Sequence, residues 1–241
     1  MPGTVVIVQA RLGSTRLPGK VLMDLAGMTV LEHVLRRCAA IPGIDHVCCA
    51  TTLAPYDAAV AEAASSMGFA VHRGSERDVL DRYLGAARAL DASVVMRVTS
   101  DCPFIDPDIC GALLKLRAER GADFACNNDP PSWTHGMDCE AFPMAILERA
   151  AREGHEPDDR EHVTEWMRRA PGLTHANLAG PGGSLLDYRL TLDYPEDLAM
   201  MRALCAALPM VPLDARLDDL IAVLDTRPEI ATLNADRHRP Y

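Results

Sequence analysis

The chain has 241 residues with 34 acids against 24 bases, a formal net charge of −10. That acidic balance excludes a broad duplex-binding surface, which needs an extended basic field. With 49% hydrophobic but only 5% aromatic residues, the core is aliphatic, as in alternating helices and parallel strands rather than in an aromatic-rich sandwich.

Residues 4–10 (TVVIVQA) form a β-branched run that reads as a buried strand. A Gly/Pro-punctuated basic loop, 11–20, follows. Apolar residues recur at helical spacing over 30–41, and Pro42-Gly43 ends that helix. Strands are expected at 46–51, 69–72, 93–98 and 123–126, with helices at 57–67, 76–90 and 107–120 between them. This alternation implies an α/β fold with a doubly wound, mostly parallel sheet and right-handed crossovers, layered α/β/α.

The second half is less regular. Strands are expected at 137–142, 173–178 and 188–192, with helices at 144–152, 160–169, 195–208 and 213–224. No linker or internal repeat divides the chain, so residues 1–241 read as one domain with an irregular region at about 130–180. The eight cysteines include no CxxC pair, so they read as buried thiols of a reducing compartment rather than a zinc site. No apolar run approaches the roughly 18 residues needed to cross a bilayer. A cytoplasmic protein that engages neither membrane nor nucleic acid is expected.

In doubly wound sheets, ligands bind outside the carboxyl ends of the strands. The loop after the first strand carries Arg11, Arg16 and Lys20, and no acid precedes Asp24. Glycines let backbone N–H groups approach a phosphate, and the cations neutralise it. The loop is neither a Walker A motif nor a dinucleotide fingerprint: five residues separate Gly13 from Gly19, Val21 follows Lys20, and GxGxxG is absent. Asp101 and Asp193 each lie just past an expected strand. Two carboxylates at one sheet edge suit Mg²⁺, which takes one or two protein carboxylates plus phosphate oxygens. Each also has a plain scaffolding reading, Asp101 in a turn leading into a helix and Asp193 as a helix cap. Asp106 and Asp197 read as capping residues.

QARLGSTRLPGK (9–20), RGSERDVLDRY (73–83), TSDCPFIDP (99–107), GMDCE (136–140), REHVT (160–164) and RLTLDYPEDL (189–198) together resemble the cytidylyltransferases that activate acidic sugars. These include the CMP-Kdo and CMP-sialic acid synthetases, and the resemblance is strongest to the spore coat polysaccharide biosynthesis protein F type. It runs in order over roughly residues 4–200. It implies a nucleotide-diphospho-sugar transferase (GT-A-like, Rossmann-like) fold, CTP as the nucleotide and Mg²⁺ as cofactor. It implies nucleotide contacts from Ala10, Arg11, Leu12, Gly13, Ser14, Arg16, Lys20, Arg73, Ser75, Thr99 and Asp101. Arg11, Lys20 and Asp101 would be catalytic, and Asp101 with Asp193 would hold the metal. The acceptor, a sugar or sugar acid, would meet His135, Asp138, Glu140, Arg160 and His162.

Arg73 and Ser75 also have a scaffolding reading, with Ser75 as an N-cap and Asp78–Arg82 as an exposed i, i+4 pair. His162 has the chemistry of a base, although a lone histidine is more often structural. Tyr194 replaces a small hydroxyl residue of the relatives, and Trp133 adds bulk beside the acceptor segment. Two rival functions stand against CMP transfer. A glycosyltransferase of the same fold needs a metal-binding DxD, absent at 101–103, with the DDR at 158–160 in an expected loop as a poor substitute. A non-catalytic nucleotide-binding module is the other. A homodimer through the 130–180 region is also expected.

Overall fold

The computed structural model describes residues 2–237. In chain order, β1 (Gly3–Gln9) leads through the basic loop to a two-residue hairpin, β2 (Asp24–Leu25) with β3 (Met28–Thr29). Then come α1 (Val30–Ala39), β4 (His46–Thr52), α2 (Ala58–Ser66), β5 (Ala70–Gly74), α3 (Val79–Ala89), β6 (Ala92–Thr99), α4 (Pro107–Arg120) and β7 (Phe124–Cys126). The second half holds β8 (Glu140–Pro143), α5 (Met144–Glu153), α6 (Pro157–His162), α7 (Glu165–Arg169), β9 (His175–Asn177), α8 (Pro195–Ala207), α9 (Leu217–Thr226) and α10 (Pro228–Ala231).

Among the described residues the main sheet has seven strands in the order β5-β4-β1-β6-β8-β7-β9. The pairs β5–β4–β1–β6 and β7–β9 are parallel, while β8 is antiparallel to both its neighbours. The sheet is thus mostly parallel and doubly wound, as the alternation implies. Two apolar cores lie on its two faces. One gathers Val5, Ile7, Tyr83, Val95 and Phe142, the other Val6, Val8, Val34, Met96 and Ile105. Alternate residues of β1 enter opposite cores because successive strand side chains point to opposite faces. A third core packs α8, α9 and α10 against Leu190, Leu192, Leu25 and Phe104.

Local chemistry explains several boundaries. α4 starts at Pro107 behind Asp106, whose Oδ1 accepts from Asp108 N at 2.8 Å, and it stops at Gly121 with φ 59°. Asp106 Oδ2 also accepts from Leu217 N at 2.8 Å, which fixes the start of α9.

Two expectations are corrected. Residues 188–192 are no sheet strand; Arg189 makes a single bridge to His135. Their backbone donors go to loop carbonyls instead, Leu190 N to His135 O at 2.7 Å and Leu192 N to Asp101 O at 2.8 Å. The expected helix at 160–169 is two short helices, α6 and α7, parted by buried Val163 at φ 67°; the DDR at 158–160 therefore lies in α6. Residues 123–126 contribute β7, which does not pair with β6 because β8 inserts between them. The eight cysteines are free and buried, as expected. Among the described residues no helix is long and apolar enough to cross a membrane. The polar segment 234–241 is described as far as Arg237, and 238–241 lie outside the described residues.

Candidate active site

At the carboxyl edge of the sheet, the loop after β1, the turn after β6 and the segment 188–193 enclose a cavity of about 430 Å³. Its walls include Ala10, Arg11, Gly13, Ser14, Arg16, Lys20, Thr99, Asp101, Glu161, His162 and Asp193. The loop is held from below by Asp57, fully buried, whose Oδ1 accepts from Leu12 N at 2.7 Å while Thr52 Oγ1 donates to Oδ2. Ala10 N donates to Ala50 O at 3.1 Å and Gly19 N to Leu12 O at 3.1 Å, which closes the turn. Gly19, at φ 74°, takes the left-handed conformation that delivers Lys20 to the start of a short 3-10 turn.

Lys20 lies between the two carboxylates. Its Nζ donates to Asp101 Oδ2 at 3.1 Å, Asp193 Oδ1 at 3.1 Å and Leu192 O at 2.7 Å. Its side chain is 12% exposed. Burial works against the ammonium, but Asp101 and Asp193 outweigh it and hold the Lys20 pKa above the usual lysine value. Burial likewise pushes the Asp101 carboxyl up. Lys20 and the Thr99 hydroxyl, 2.5 Å from Oδ1, reverse this and leave its pKa below the usual carboxylate value. Asp193 follows the same balance: burial raises it, and Lys20, Arg189 and Arg16 bring it below that value. Both acids are therefore ionised near neutral pH.

The segment 188–193 is delivered by a second set of contacts. Arg189 pairs with Asp197 at 2.9 Å and with Asp193 Oδ2 at 2.9 Å. Asp197 Oδ2 in turn accepts from the N–H groups of Asp193 at 2.8 Å and Tyr194 at 3.0 Å. Gly136, at φ 110°, lets this segment close in: a Cβ there would meet Leu190 C and O at 2.5 Å. Asp101 and Asp193 thus meet at one edge although 193 does not follow a strand; backbone bonds to Asp101 O and His135 O replace a ladder.

Arg11 is exposed and has neither ion pair nor hydrogen bond among the described residues. Arg16, also exposed, pairs with Asp193 Oδ1 at 2.6 Å. Its guanidinium lies 5.1 Å from the Tyr194 ring centroid, and that of Arg237 lies 4.4 Å from the same ring. With Arg189 at 6.0 Å as well, the bulk at position 194 serves as a platform for three arginines.

A second cavity of about 330 Å³ is lined by Arg97, Asn128, Glu140, His162, Thr164, Glu165 and Arg168. Among the described residues, His162 alone lines both cavities. Glu140, with its side chain 3% exposed, accepts from Arg97 at 2.7 Å, from Thr164 Oγ1 at 2.9 Å and from Arg168. Burial raises its pKa, but Arg97 and Arg168 outweigh that and bring it below the usual glutamate value.

Other expected site residues lie elsewhere. Arg73 donates to Thr52 O at 2.9 Å and Ala54 O at 3.0 Å, bracing the turn that carries Asp57. Ser75 Oγ accepts from Asp78 N at 3.0 Å, and Asp78, not Ser75, is the N-cap of α3. The expected Asp78–Arg82 surface pair does not form: Asp78 pairs with Arg160, and Arg82, 2% exposed, donates to Ser75 O. Position 82 shares the inward helix face of Val79, Tyr83 and Ala86, so Arg82 enters the wall of the nucleotide-sized cavity. Arg160 also donates to Ala151 O at 3.1 Å, joining α3, α5 and α6 away from both cavities. His135 Nδ1 lies 3.2 Å from Arg189, and burial lowers its pKa. Asp138 accepts from Gly136 N at 3.2 Å. The side chain of Leu12 packs into the core beneath the loop.

Local sequence features miss Asp57, Arg82, Arg97, Thr164, Arg168 and Arg189. A usable signal exists for Arg82, its inward helical position, and for Arg189, four residues before Asp193. Arg97 meets Glu140 through the sheet register that sets them opposite each other, and Arg168 reaches the same carboxylate from α7.

An ion-rich cavity at the carboxyl edge of a mostly parallel sheet defines a nucleotide-binding α/β protein. A family model described as Cytidylyltransferase matches residues 5–205. Spore coat polysaccharide biosynthesis protein SpsF of Bacillus subtilis (strain 168) is 32% identical over 238 residues, 96% of this chain and 98% of its own length. The 3-deoxy-manno-octulosonate cytidylyltransferase of Maricaulis maris (strain MCS10) is 38% identical over 126 residues, 50% of this chain and 47% of its own. A solved cytidylyltransferase structure from Leptospira borgpetersenii serovar Hardjo-bovis (strain JB197) superposes with a TM-score of 0.89 at 29% identity, covering 96% of this chain and 97% of that one. The chain belongs to the cytidylyltransferase family and is a nucleotidyltransferase.

Proposed function

We propose that the chain transfers CMP from CTP to a hydroxyl of a sugar or sugar acid, releasing pyrophosphate, with Mg²⁺ as cofactor. The observation that carries this reading is the mouth of the sheet, where Arg11, unpaired among the described residues, lines the same cavity as two ionised carboxylates gathered on Lys20. The acceptor oxygen attacks the α-phosphorus. The new O–P bond forms in line with the breaking bond to pyrophosphate, and the acceptor proton is released. Little covalent chemistry falls to the protein; its work is positioning and charge compensation.

Arg11 is free to compensate the triphosphate, while Arg16, tied to Asp193 and Tyr194, fixes the loop. Gly13 and Ser14 border the same space. Among the described residues no cluster of three or more His, Cys, Asp or Glu is arranged to hold a metal. Two carboxylates offering only oxygen nevertheless fit a hard cation that completes its shell with phosphate oxygens and water. Asp101 and Asp193 would hold it, and when bound it would withdraw charge from the phosphate oxygens. The cavity around Glu140 supports an acceptor site, because it adjoins the nucleotide-sized cavity through His162. Its walls are hydrogen-bonding side chains, as a polyhydroxylated ligand requires.

The test is pyrophosphate release with CTP, Mg²⁺ and a panel of sugars and sugar acids. Release that requires both CTP and an acceptor supports the reading. Tight CTP binding with no release from any acceptor, or transfer from a preformed nucleotide sugar without CTP, would sink it.

A further inference from the structure

Lys20 occupies the space between the carboxylates on which a divalent cation would bind. Its three N–H donors are all committed, two of them to Asp101 and Asp193 and the third to Leu192 O. The remaining carboxylate oxygens are engaged as well: Thr99 Oγ1 donates to Asp101 Oδ1 at 2.5 Å, and Arg189 donates to Asp193 Oδ2 at 2.9 Å. Arg16 adds a second donor to Asp193 Oδ1 at 2.6 Å. Counting formal charges, Lys20, Arg16 and Arg189 balance Asp101, Asp193 and Asp197, the last of which shares Arg189. A bare divalent cation arriving here meets no net negative charge, and each oxygen it needs already accepts a hydrogen bond.

We infer that Lys20 is an internal counter-ion that keeps the divalent site closed until a polyphosphate draws the ammonium away; this rests on the nucleotide reading above. A polyphosphate carries several negative charges and strong acceptor oxygens, so it competes for an ammonium on equal terms with carboxylates. A lysine suits such an exchange. Its charge is a compact point on a flexible stem, whereas a guanidinium is committed to a planar fork. The backbone at Lys20 stays put, anchored by the bonds from Lys20 N to Leu17 O at 3.2 Å and from Leu22 N to Gly19 O at 3.0 Å. Only the side chain has to move. The consequence is coupling: polyphosphate and cation each raise the affinity of the other by the same factor.

The experiment measures Mn²⁺ binding to the full chain by electron paramagnetic resonance, first with the metal alone. Lys20→Met, which keeps the stem and removes the charge, is expected to bind Mn²⁺ at least tenfold more tightly than the wild type, and Lys20→Met/Asp101→Asn to lose that gain. Equal affinity in wild type and Lys20→Met, weaker binding by the variant, or a gain that survives Asp101→Asn overturns the inference. Thermal melts check that each variant is folded. Should Lys20→Met not fold, the wild type decides alone. Its Mn²⁺ affinity is expected to rise at least tenfold when a non-hydrolysable α,β-methylene CTP is bound, and an unchanged affinity refutes the coupling. If that analogue fails to bind wild type with or without metal, the nucleotide reading falls, whereas the metal-alone comparison still reads the role of Lys20.

Discussion

Two charged clusters stand at the same edge of the sheet and are built in opposite ways. At the mouth, one ammonium serves two carboxylates, Asp101 and Asp193. In the neighbouring cavity, two guanidiniums, Arg97 and Arg168, converge on the single carboxylate of Glu140. The Glu140 cluster also takes Thr164, so its oxygens are fixed by planar forks and a hydroxyl on β6, α7 and the turn between α6 and α7. It fastens the second half of the chain to the central sheet. The Lys20 cluster joins three loops with one flexible side chain, and its members face a cavity large enough for a nucleotide. Two carboxylates linked by a flexible ammonium at a cavity suit exchange with an incoming cation; two guanidiniums around one buried acid suit a fixed joint.

The sharpest way to break this contrast is Glu140→Gln. Removing the charge that two arginines share is expected to lower stability by about 3–5 kcal/mol in urea unfolding at neutral pH, with CTP affinity of the folded protein nearly unchanged. The pH dependence follows from the sign of the shift. Glu140 has a lower pKa folded than its usual value, so its contribution is complete above the usual value of about 4.3 and fades as pH falls below it. The gap between wild type and variant should narrow steadily as pH falls below about 4.3; a gap that does not change with pH would assign the loss to packing.

Lys20→Ala is next in size, with turnover about 10²–10³-fold lower in pyrophosphate release, and with little loss of stability compared with Glu140→Gln. Unchanged turnover would remove Lys20 from the chemistry. Asp57→Asn is expected to weaken stability by about 1–3 kcal/mol and CTP binding by isothermal calorimetry about tenfold, because Leu12 N and Thr52 lose a charged acceptor under the loop. A stability loss without any change in CTP affinity would show that the loop holds its shape without Asp57. The smallest effect is expected at Arg160→Ala. Its partly exposed pair with Asp78 is worth about 1 kcal/mol or less, and KM for the acceptor should move less than about twofold. A large rise in KM would bring Arg160 back to the acceptor.

The first half of the fold was legible because its signals are local. Asp106, Pro107 and Gly121 mark both ends of α4, and the β-branched runs mark β1 and β6. The second half hid its architecture where local preference and tertiary demand part. Residues 188–192 have the composition of a strand, yet their N–H groups are taken by Asp101 O and His135 O. The helical pattern of 160–169 is interrupted at Val163, held at φ 67° between His162 and Thr164. No β-branched residue adopts that conformation by preference. Arg82 reads as a surface partner of Asp78, but the helix face it shares with Val79 and Tyr83 turns it inward.

The sequence by itself determined the alternation of strands and helices, the caps that bound them, and a loop whose three cations precede any acid. These depend on periodicity and on groups a few residues apart. Tertiary structure alone decided that Lys20 would lie between acids 81 and 173 positions away, and that Glu140 would hold arginines from β6 and α7. Such meetings depend on sheet order, on a strandless segment bonded to loop carbonyls and on the close approach allowed by Gly136. None of these leaves a periodic trace along the chain.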